Sequence, residues 1–362
     1  MKALFIGADL GGNVPPAVSI AAELAARGHD VVLAGYRLRD GEQAPPGLVL
    51  TGLPAAAHDF TRAAGPLAMT GSLARLSLGR AMRREAAAAI AAERPDAVVV
   101  GCVLQSALRA ALASGAPTAV LFHSILFSTA FATGAARLAG AGALRLWARA
   151  DARIMPSDET LARTAAAADP VEFDWVGPTE PAVAATPTAP TTVLVSLSTT
   201  GVPGQTEVYQ RIVDALAGID ARVIVTTGGA EVGELTPAAN AVVHGRHPHA
   251  AILPDASLVI GHGGHSTTVR ALAHGVPVLV LPMNPMSDQT MIGRLVEDAG
   301  LGRTLRRTAT VETIRDAATA ILADPGMAAR AARAGERLRA RDGAALGADV
   351  VERLADARRT SA

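Results

Sequence analysis

Cysteine is nearly absent from this chain of 362 residues, whose only cysteine is Cys102. A lone cysteine cannot form a disulfide within the chain, which excludes a disulfide-stapled secreted fold and predicts a reducing, cytoplasmic location. Long apolar runs are absent too, since none reaches the roughly 18 residues that a membrane-spanning helix needs. The first apolar segment is interrupted at Asp9, too early for a signal peptide. We therefore expect no membrane span.

Lysine and aromatic residues are scarce as well. Lys2 is the only lysine, aromatic residues make up 3% of the chain, and the formal net charge is zero. Nucleic-acid binding draws on basic blocks and on aromatic residues that stack on bases, so we expect no nucleic-acid partner. Half of the residues are hydrophobic and 18% are charged, a balance typical of a globular protein. A chain of this length is long enough for two domains, each with its own core.

Short apolar segments alternate with alanine-rich helical ones in two series along the chain. Such alternation indicates parallel sheets covered by helices. The predicted fold class is therefore α/β, with two Rossmann-like domains that face each other across a cleft. In the first series we predict strands at 3–6, 31–34, 97–100 and 119–122, and helices near 17–27, 73–93 and 106–114. In the second we predict strands at 193–197, 222–226, 241–244, 258–260 and 278–281, and helices near 207–217, 250–253, 267–274 and 290–298.

A proline-rich segment separates the two series. Pro181, Pro187 and Pro190 stand there among alanines and threonines, which is the composition of an extended linker. The arginine-rich tail over 328–359 predicts two further helices. We therefore predict an N-terminal domain at 1–178, a linker at 179–190, a C-terminal domain at 191–340 and a last helix at 341–362.

The most informative segment is a glycine-rich loop, Gly261-His262-Gly263-Gly264-His265-Ser266-Thr267-Thr268, which follows an apolar run. The apolar run predicts a buried strand, the glycines let backbone N–H groups approach a ligand, and Ser266 or Thr267 can cap the next helix. A helix N-terminus presents unpaired donors and a partial positive charge. The loop is therefore predicted to bind a diphosphate without a metal, and His262 can add a side-chain donor.

The residues after this loop extend the signal. They are Ala271-Leu272, Gly275-Val276-Pro277, an apolar strand that ends at Pro282, and Asp288-Gln289. This order resembles the donor-binding signature of family-one glycosyltransferases, which use nucleotide sugars. The resemblance implies the GT-B fold, in which the N-terminal domain binds the acceptor, the C-terminal domain binds the donor, and the last helix crosses back onto the N-terminal domain. Trp175-Val176-Gly177-Pro178 resembles the segment that ends the N-terminal domain of that family.

The resemblance implies phosphate contacts for two loops. The diphosphate contact of the family falls on His262, and preorganised donors around it would stabilise the leaving group as its charge builds. Ser198 and Thr199 belong to a loop similar to the family's Ser-x-Gly-Thr, with Ser198 where glycine is common. The residues that supply further backbone and hydroxyl donors are Gly263, Gly264, Ser266 and Thr267.

The same resemblance implies contacts for the rest of the donor. His249, after Pro248, is placed on the nucleobase, and the side chains of Asp288 and Gln289 are placed on the hydroxyls of the donor sugar. Arg270 is a departure, because many relatives have a glutamate there that binds the ribose hydroxyls. An arginine cannot accept hydrogen bonds. This departure favours dTDP, whose sugar lacks one hydroxyl, over UDP.

The N-terminal loop departs further from the family. The segment from Gly11 to Pro16 lacks the Gly-x-Gly-x-x-Gly spacing of dinucleotide enzymes, so a nicotinamide cofactor is not expected. It resembles a Gly-His-Val-x-Pro motif whose histidine is the general base, and Asn13 stands at the histidine position. A carboxamide has no useful proton affinity. The partner aspartate of the family is also missing, since the corresponding strand ends in Gly101.

Three alternatives for the missing base stay open. Another residue serves, either His123 at the end of a predicted strand or Asp9, while Asn13 orients the acceptor by hydrogen bonding. Or the acceptor needs little base, as with an amine, an acidic phenol or an activated aromatic carbon. Or the protein binds a nucleotide sugar without transferring it.

We accordingly predict an inverting, cofactor-free hexosyltransferase that moves a hexose, including a deoxy- or aminosugar, from a dTDP- or UDP-sugar to a small-molecule acceptor such as a secondary metabolite. The alternative is a catalytically silent binding or auxiliary protein. Six histidines between His244 and His274 invite a metal site, but without a helical His-x-x-x-His pair beside a carboxylate we predict none. A sugar-nucleotide 2-epimerase is disfavoured, because the 261–268 loop offers no carboxylate. The acceptor, the linkage and the formation of a homodimer are left open.

Overall fold

Two parallel β-sheets organise the chain, each with helices packed against it. Within the described residues, a seven-stranded sheet lies in the N-terminal half and a six-stranded sheet in the C-terminal half. The fold class is therefore α/β with two parallel-sheet domains, which confirms the sequence prediction. The computed structural model describes residues 1–9, 12–36, 44–57, 66–124, 136–161, 172–187, 189–199, 201–284 and 287–361.

The first sheet consists of β1 (Lys2–Ile6), β2 (Asp30–Ala34), β3 (Leu48–Thr51), β4 (Ala97–Gly101), β5 (Thr118–Leu121), β6 (Ala152–Met155) and β7 (Asp174–Trp175). Its order is β3-β2-β1-β4-β5-β6-β7, with parallel neighbours throughout. Leu4 of the central β1 lies opposite both Val32 and Val98 and is fully buried. A strand covered on both faces needs an apolar run and not an alternating pattern, and that run is what the sequence shows.

The helices of this half are α1 (Val14–Ala26), α2 (Pro66–Leu78), α3 (Arg80–Glu93), α4 (Gln105–Ser114) and α5 (Ala136–Trp147). The sequence predicts a single helix over 73–93, and this prediction is wrong because the segment breaks at Gly79. Gly79 has an extended conformation, with φ −64° and ψ 137°. A Cβ atom there would collide with the carbonyl oxygen of Arg75, so α2 ends and α3 begins with a glycine between them.

The second sheet consists of β8 (Thr191–Ser196), β9 (Ala221–Thr226), β10 (Ala241–His244), β11 (Ala256–Gly261), β12 (Val278–Val280) and β13 (Gly302–Thr304). Its order is β10-β9-β8-β11-β12-β13, again parallel throughout. Ile260 of β11 pairs with Val195 and with Leu279. The helices that follow are α6 (Gln205–Leu216), α7 (His265–Ala273), α8 (Gln289–Asp298), α9 (Val311–Leu322), α10 (Pro325–Arg339) and α11 (Gly343–Ser361).

The segment 250–253 differs from its prediction. It forms two 3-10 turns, His249–Ala251 and Leu253–Asp255, and no α-helix. Pro254 has no backbone N–H to donate, so an α-helix cannot continue through it. Among the helices that the structure describes, none has the length and apolarity that crossing a bilayer requires.

Both sheets place a crevice at the carboxyl ends of their strands. The strand order reverses between β1 and β4 in the first sheet and between β8 and β11 in the second. Loops that leave neighbouring strands in opposite directions open a crevice between them, which is where ligands bind in such sheets. Asn13 follows β1, Ser198 follows β8 and His262 follows β11. The topology therefore directs predicted site residues of both halves to crevices.

The last helix, α11, packs on the N-terminal domain. Arg27 binds Asp349 and Glu352, each at 2.7 Å, and the His29 ring lies 2.7 Å from Glu352. The hydrogen bond with His29 is the main reason that the pKa of Glu352 is lowered. Part-exposed ion pairs contribute only about 0–1 kcal/mol. The fully buried Val351 belongs to the core of the first sheet, so apolar burial is the main contribution that holds α11 there.

Candidate functional site

A cavity of about 540 Å³ lies where the loops of the two sheets meet. Its wall combines residues that follow β1 and β5 with residues that follow β8, β9 and β11 and with the start of α8. Asp9 and Gly263, two of the predicted site residues, are not in this wall. The structure brings the others together in it: His123, Asn13, Ser198, Thr199, His249, His262, Gly264, Ser266, Thr267, Asp288 and Gln289.

The glycine-rich loop leads from β11 directly into α7. Gly264 is the N-cap residue, without a side-chain cap, and α7 begins at His265. The prediction that Ser266 or Thr267 caps the helix is therefore wrong, because both already lie in its first turn. The N–H of Thr268 donates to the Gly264 oxygen at 3.0 Å, whereas the N–H groups before it belong to the open end of the helix. Backbone donors and the two hydroxyls can therefore converge on an anion.

Gly263 lets the glycine-rich loop pack closely against Gln289 and Val280. Its φ is +81°, and a Cβ atom would lie 2.6 Å from the Gln289 oxygen and 2.9 Å from Val280 Cγ1. We expect Gly263→Ala to destabilise the protein by more than the roughly 1–2 kcal/mol that a left-handed conformation costs an L-residue. Gly115→Ala is the matched control, because Gly115 has φ +71° and nothing within 4 Å of its added Cβ. Equal losses in thermal unfolding would contradict a packing role for Gly263.

The His262 ring folds back over the loop that carries it. Its Nε2 lies so close to Gly264 that a Cβ there would collide with it. Burial lowers the pKa of His262 to about 4, although the backbone of Ser196 favours the protonated form. The ring is therefore neutral at pH 7. A neutral imidazole offers one N–H donor, so His262 contributes a hydrogen bond and not a charge.

The loop after β8 is held by two side chains of α6. The N–H of Leu197 donates to the Tyr209 hydroxyl at 2.9 Å, and that hydroxyl donates to the Thr226 oxygen at 2.9 Å. Gln205 Nε2 donates to the Ser198 oxygen at 2.6 Å. These bonds link Ser198 and the adjoining Thr199 to the rigid sheet. Preorganised donors of this kind do not have to be ordered again when a ligand binds.

The segment after β10 adds a guanidinium and imidazole groups to the cavity wall. His249 Nε2 lies 3.1 Å from Thr226 Oγ1, and Arg246 and His247 line the cavity beside His249 in the chain. The His247 ring lies 4.8 Å from that of His244, centroid to centroid. Despite this histidine content, the described part of the chain holds no group of three or more His, Cys, Asp or Glu that could bind a metal ion.

Asp288 and Gln289 stand at the start of α8. Asp288 is the N-cap residue without a side-chain cap bond. Burial raises the pKa of Asp288, and a hydrogen bond from Ser124 of the N-terminal domain partly offsets that rise. Gln289 Oε1 accepts from the N–H groups of Met283 and Asn284, at 2.7 and 2.9 Å. The amide oxygen of Gln289 is therefore committed to its loop, and its NH2 group is what it can offer a ligand.

Arg270 has a partner that the sequence does not suggest. Its Nη2 donates to Glu180 Oε2 at 2.5 Å and to Ser266 Oγ at 3.1 Å. Glu180 belongs to the segment between the domains, and both it and Arg270 line the cavity. Arg270 cannot accept a hydrogen bond, but it binds the carboxylate of Glu180, which can accept one at the cavity wall.

The loop after β1 positions Asn13 but not Asp9. Asn13 is buried, and its Nδ2 donates to the Ala8 oxygen at 2.7 Å. Its side chain thus fixes the loop. Asp9 is half-buried outside the cavity wall, so the structure does not bring it to the other candidates. Gly11 and Thr200 of the predicted motifs lie outside the described residues.

His123 follows β5 and faces the cavity from the N-terminal domain. Its Nδ1 lies 3.4 Å from Cys102 Sγ. Burial lowers the pKa of His123 to about 4 and raises that of the Cys102 thiol to about 12. At pH 7 the imidazole is therefore neutral and the thiol protonated. One nitrogen of a neutral imidazole can accept a proton. Among the described residues of the N-terminal domain that line the cavity, His123 is the one with a titratable side chain.

Known proteins share both halves of this arrangement. Residues 210–355 match the family model "Erythromycin biosynthesis protein CIII-like, C-terminal domain", and residues 11–174 match "Glycosyl transferase 4-like domain". Over 98% of both chains, the fold superposes on the glycotransferase of kitacinnamycin with a TM-score of 0.77 at 23% identity. The chain has the GT-B fold of these glycosyltransferases. CalG4, the calicheamicin glycosyltransferase, matches this GT-B protein with a TM-score of 0.71 at 22% identity, again over 98% of both chains.

Curated relatives align with part of this GT-B protein. Demethyllactenocin mycarosyltransferase of Streptomyces fradiae is 34% identical over 133 residues, which are 36% of this chain and 28% of the relative. The 4'-demethylrebeccamycin synthase of Lentzea aerocolonigenes is 34% identical over 141 residues, 39% and 33% of the two chains. The alignments span about a third of the length of these relatives.

Sequence reasoning missed Glu180, which lines the GT-B cavity, and several residues that hold the cavity wall in place. Glu180 and Ser124 carry no local motif, and their importance depends on partners in the other half of the chain. Tyr209 and Gln205 carried a usable signal, because they lie four residues apart on the buried face of α6. That spacing places both side chains on one side of a helix, toward the loop that they hold.

Proposed function

We propose that this GT-B protein transfers a hexose from a dTDP- or UDP-sugar to a small-molecule acceptor such as a secondary metabolite, with inversion at the anomeric carbon. One observation carries the proposal: a single cavity joins the open N-terminus of α7 to His123 and Asn13 of the other domain. A helix N-terminus suits a diphosphate, and the facing domain supplies groups for an acceptor. No metal is needed to meet the charge of the diphosphate.

The proposed reaction is a direct displacement. The acceptor oxygen forms a bond to the anomeric carbon while the bond from that carbon to the diphosphate oxygen breaks. The proton of the acceptor moves to His123 Nε2, which requires Nδ1 to carry the other proton and to face the Cys102 sulfur. The diphosphate takes the electron pair of the broken bond, and its growing charge is stabilised by the N–H groups of α7 and by His262.

The relatives support this proposal. Several curated ones are named as glycosyltransferases, among them the elloramycin glycosyltransferase of Streptomyces olivaceus, 36% identical over 147 residues that make up 39% of this chain and 35% of the relative. The solved structures of SsfS6 and VinC, with TM-scores of 0.69 and 0.67, hold thymidine diphosphate. They favour dTDP as the nucleotide of the donor.

The direct test is thermal unfolding with dTDP, UDP, ADP and GDP in parallel. We expect stabilisation by dTDP or UDP and not by the purine nucleotides. A ligand at about 100 times its Kd stabilises the folded state by roughly 2.7 kcal/mol, which raises Tm by several degrees. If no nucleotide raises Tm, the proposed donor site is wrong.

A second candidate is a catalytically silent protein that binds nucleotide sugars. Asn13 favours it, because a carboxamide stands where a base is expected and its NH2 group already holds the Ala8 oxygen. Donor hydrolysis separates the two candidates. Slow release of free dTDP or UDP from the nucleotide sugar indicates a working site, whereas binding without turnover across varied acceptors supports the silent protein.

A further inference from the structure

His265 is a buried side chain in the cavity that the proposed reaction does not use. It is the first residue of α7, it is 6% exposed, and it lines the cavity. Among the residues that the structure describes, the backbone carbonyl of Pro156 lies near the ring, but neither ring nitrogen has a partner in hydrogen-bond geometry. A buried polar atom without a partner costs about 1–3 kcal/mol, so such a ring is suited to a ligand that supplies the partners.

The surroundings of His265 restrict the kind of ligand. Burial, followed by the nearby His123, lowers the pKa of His265 to about 3, while the backbone of Pro156 acts in the opposite direction. The ring is therefore neutral and offers one donor and one acceptor. Phosphate oxygens can satisfy only the donor, because they carry no proton to donate to the acceptor nitrogen. Hydroxyl groups satisfy both, because each can donate and accept.

The location of His265 points to the same ligand group. It begins the helix whose N-terminus suits the diphosphate, and it lies close enough to His123 for the two rings to interact. In a nucleotide sugar, the transferred ring is attached to the terminal phosphate, so it has to lie between the phosphates and the acceptor. His265, at the N-terminus of α7 and near His123, is a candidate to contact that ring.

We propose that His265 binds hydroxyl groups of the transferred sugar and thereby selects donors whose sugar carries them. This inference rests on the proposed function and adds a specificity-determining residue to it. His265 is separate from the pair Asp288 and Gln289, which approaches the cavity from α8. In this proposal, α7 binds the diphosphate through its N-terminus and a sugar hydroxyl through His265.

The test compares dTDP with dTDP-glucose by calorimetric titration of His265→Phe. Replacing both unpartnered nitrogens by an apolar ring of similar shape is nearly neutral or stabilising, so the ligand-free variant should fold with an unchanged or higher Tm. We expect its Kd for dTDP to stay within about twofold and its Kd for dTDP-glucose to rise about tenfold, the loss of one or two hydrogen bonds. His265→Gln, which keeps a donor and an acceptor, should recover part of the loss.

His274→Phe is the matched control. His274 follows the last residue of α7, is 3% exposed and also has two ring nitrogens without a partner among the described residues, but it does not line the cavity. It should leave both Kd values unchanged. Equal weakening of dTDP and dTDP-glucose by His265→Phe would assign the ring to the phosphates and overturn the inference, as would no weakening of either. If the unmodified protein binds neither dTDP nor UDP, the proposed function fails first.

Discussion

His262→Ala is expected to lower kcat for sugar transfer by about 100- to 1,000-fold, the range seen when one preorganised donor to a developing anion is removed. His262 lines the cavity as a neutral ring, and in the proposed reaction its N–H donates to the leaving diphosphate. That bond strengthens as charge builds on the leaving oxygen, so the effect falls mainly on kcat. Steady-state transfer from a dTDP-sugar, or donor hydrolysis when no acceptor is known, measures it.

The binding of dTDP and dTMP provides the internal control for this variant. A contact with the terminal phosphate exists only for dTDP, so His262→Ala should reduce the preference for dTDP over dTMP while leaving dTMP binding in place. His262→Gln retains an N–H donor and should recover part of kcat. An unchanged kcat in His262→Ala would remove His262 from the phosphate site, and equal weakening of both nucleotides would place it elsewhere in the cavity.

The strands could be predicted from the sequence because a parallel sheet covered on both faces demands continuous apolar runs. The runs 97–100 and 222–226 fall inside β4 and β9. Two edge strands, β3 and β13, were not predicted. β3 has only three apolar residues in a row, of which Val49 is exposed, and β13 is Gly-Arg-Thr, which has no apolar run. Their pairing with β2 and β12 is a tertiary effect.

The backbone loops of the site could be predicted from the sequence. A glycine-rich turn after a buried strand has few conformations that lead into a helix, so the position of His262 follows from local sequence. Contacts between the two halves of the chain cannot be predicted from local sequence. Arg270 and Glu180 are 90 residues apart, and Ser124 reaches Asp288 from the other domain. Only the packing of two domains creates these pairs, and they determine which polar atoms remain for a ligand.

Asn13 replaces the histidine of the family motif but still lines the cavity. It stands in the cavity wall, where the sequence prediction placed it. Its side chain, however, donates to the Ala8 oxygen of its own loop. In the proposed reaction the proton of the acceptor therefore goes to His123 or to solvent, and the choice between them depends on how acidic the acceptor is.

His123→Ala is expected to lower kcat for transfer to an alcohol by about 100- to 10,000-fold, the range typical of a lost general base. Its Kd for dTDP should not change, because the proposed reaction assigns His123 to the acceptor and no phosphate contact to it. Burial lowers the pKa of His123 to about 4, so the ring keeps its neutral, proton-accepting form as the pH falls. The pH profile of kcat/KM should accordingly stay flat down to about pH 5, whereas a histidine with the ordinary pKa of about 6.5 would lose activity below that value.

The acceptor itself decides how the His123 result is interpreted. An acidic phenol is already close to its nucleophilic form and needs little help, so the loss in His123→Ala should be much smaller for a phenol than for an alcohol. Asp9→Asn is the control, since Asp9 lies outside the cavity wall and its replacement should leave transfer to both acceptors unchanged. Equal losses for the two acceptors would indicate that His123 positions the acceptor and does not take its proton. Full activity of His123→Ala toward the alcohol would reject it as the base.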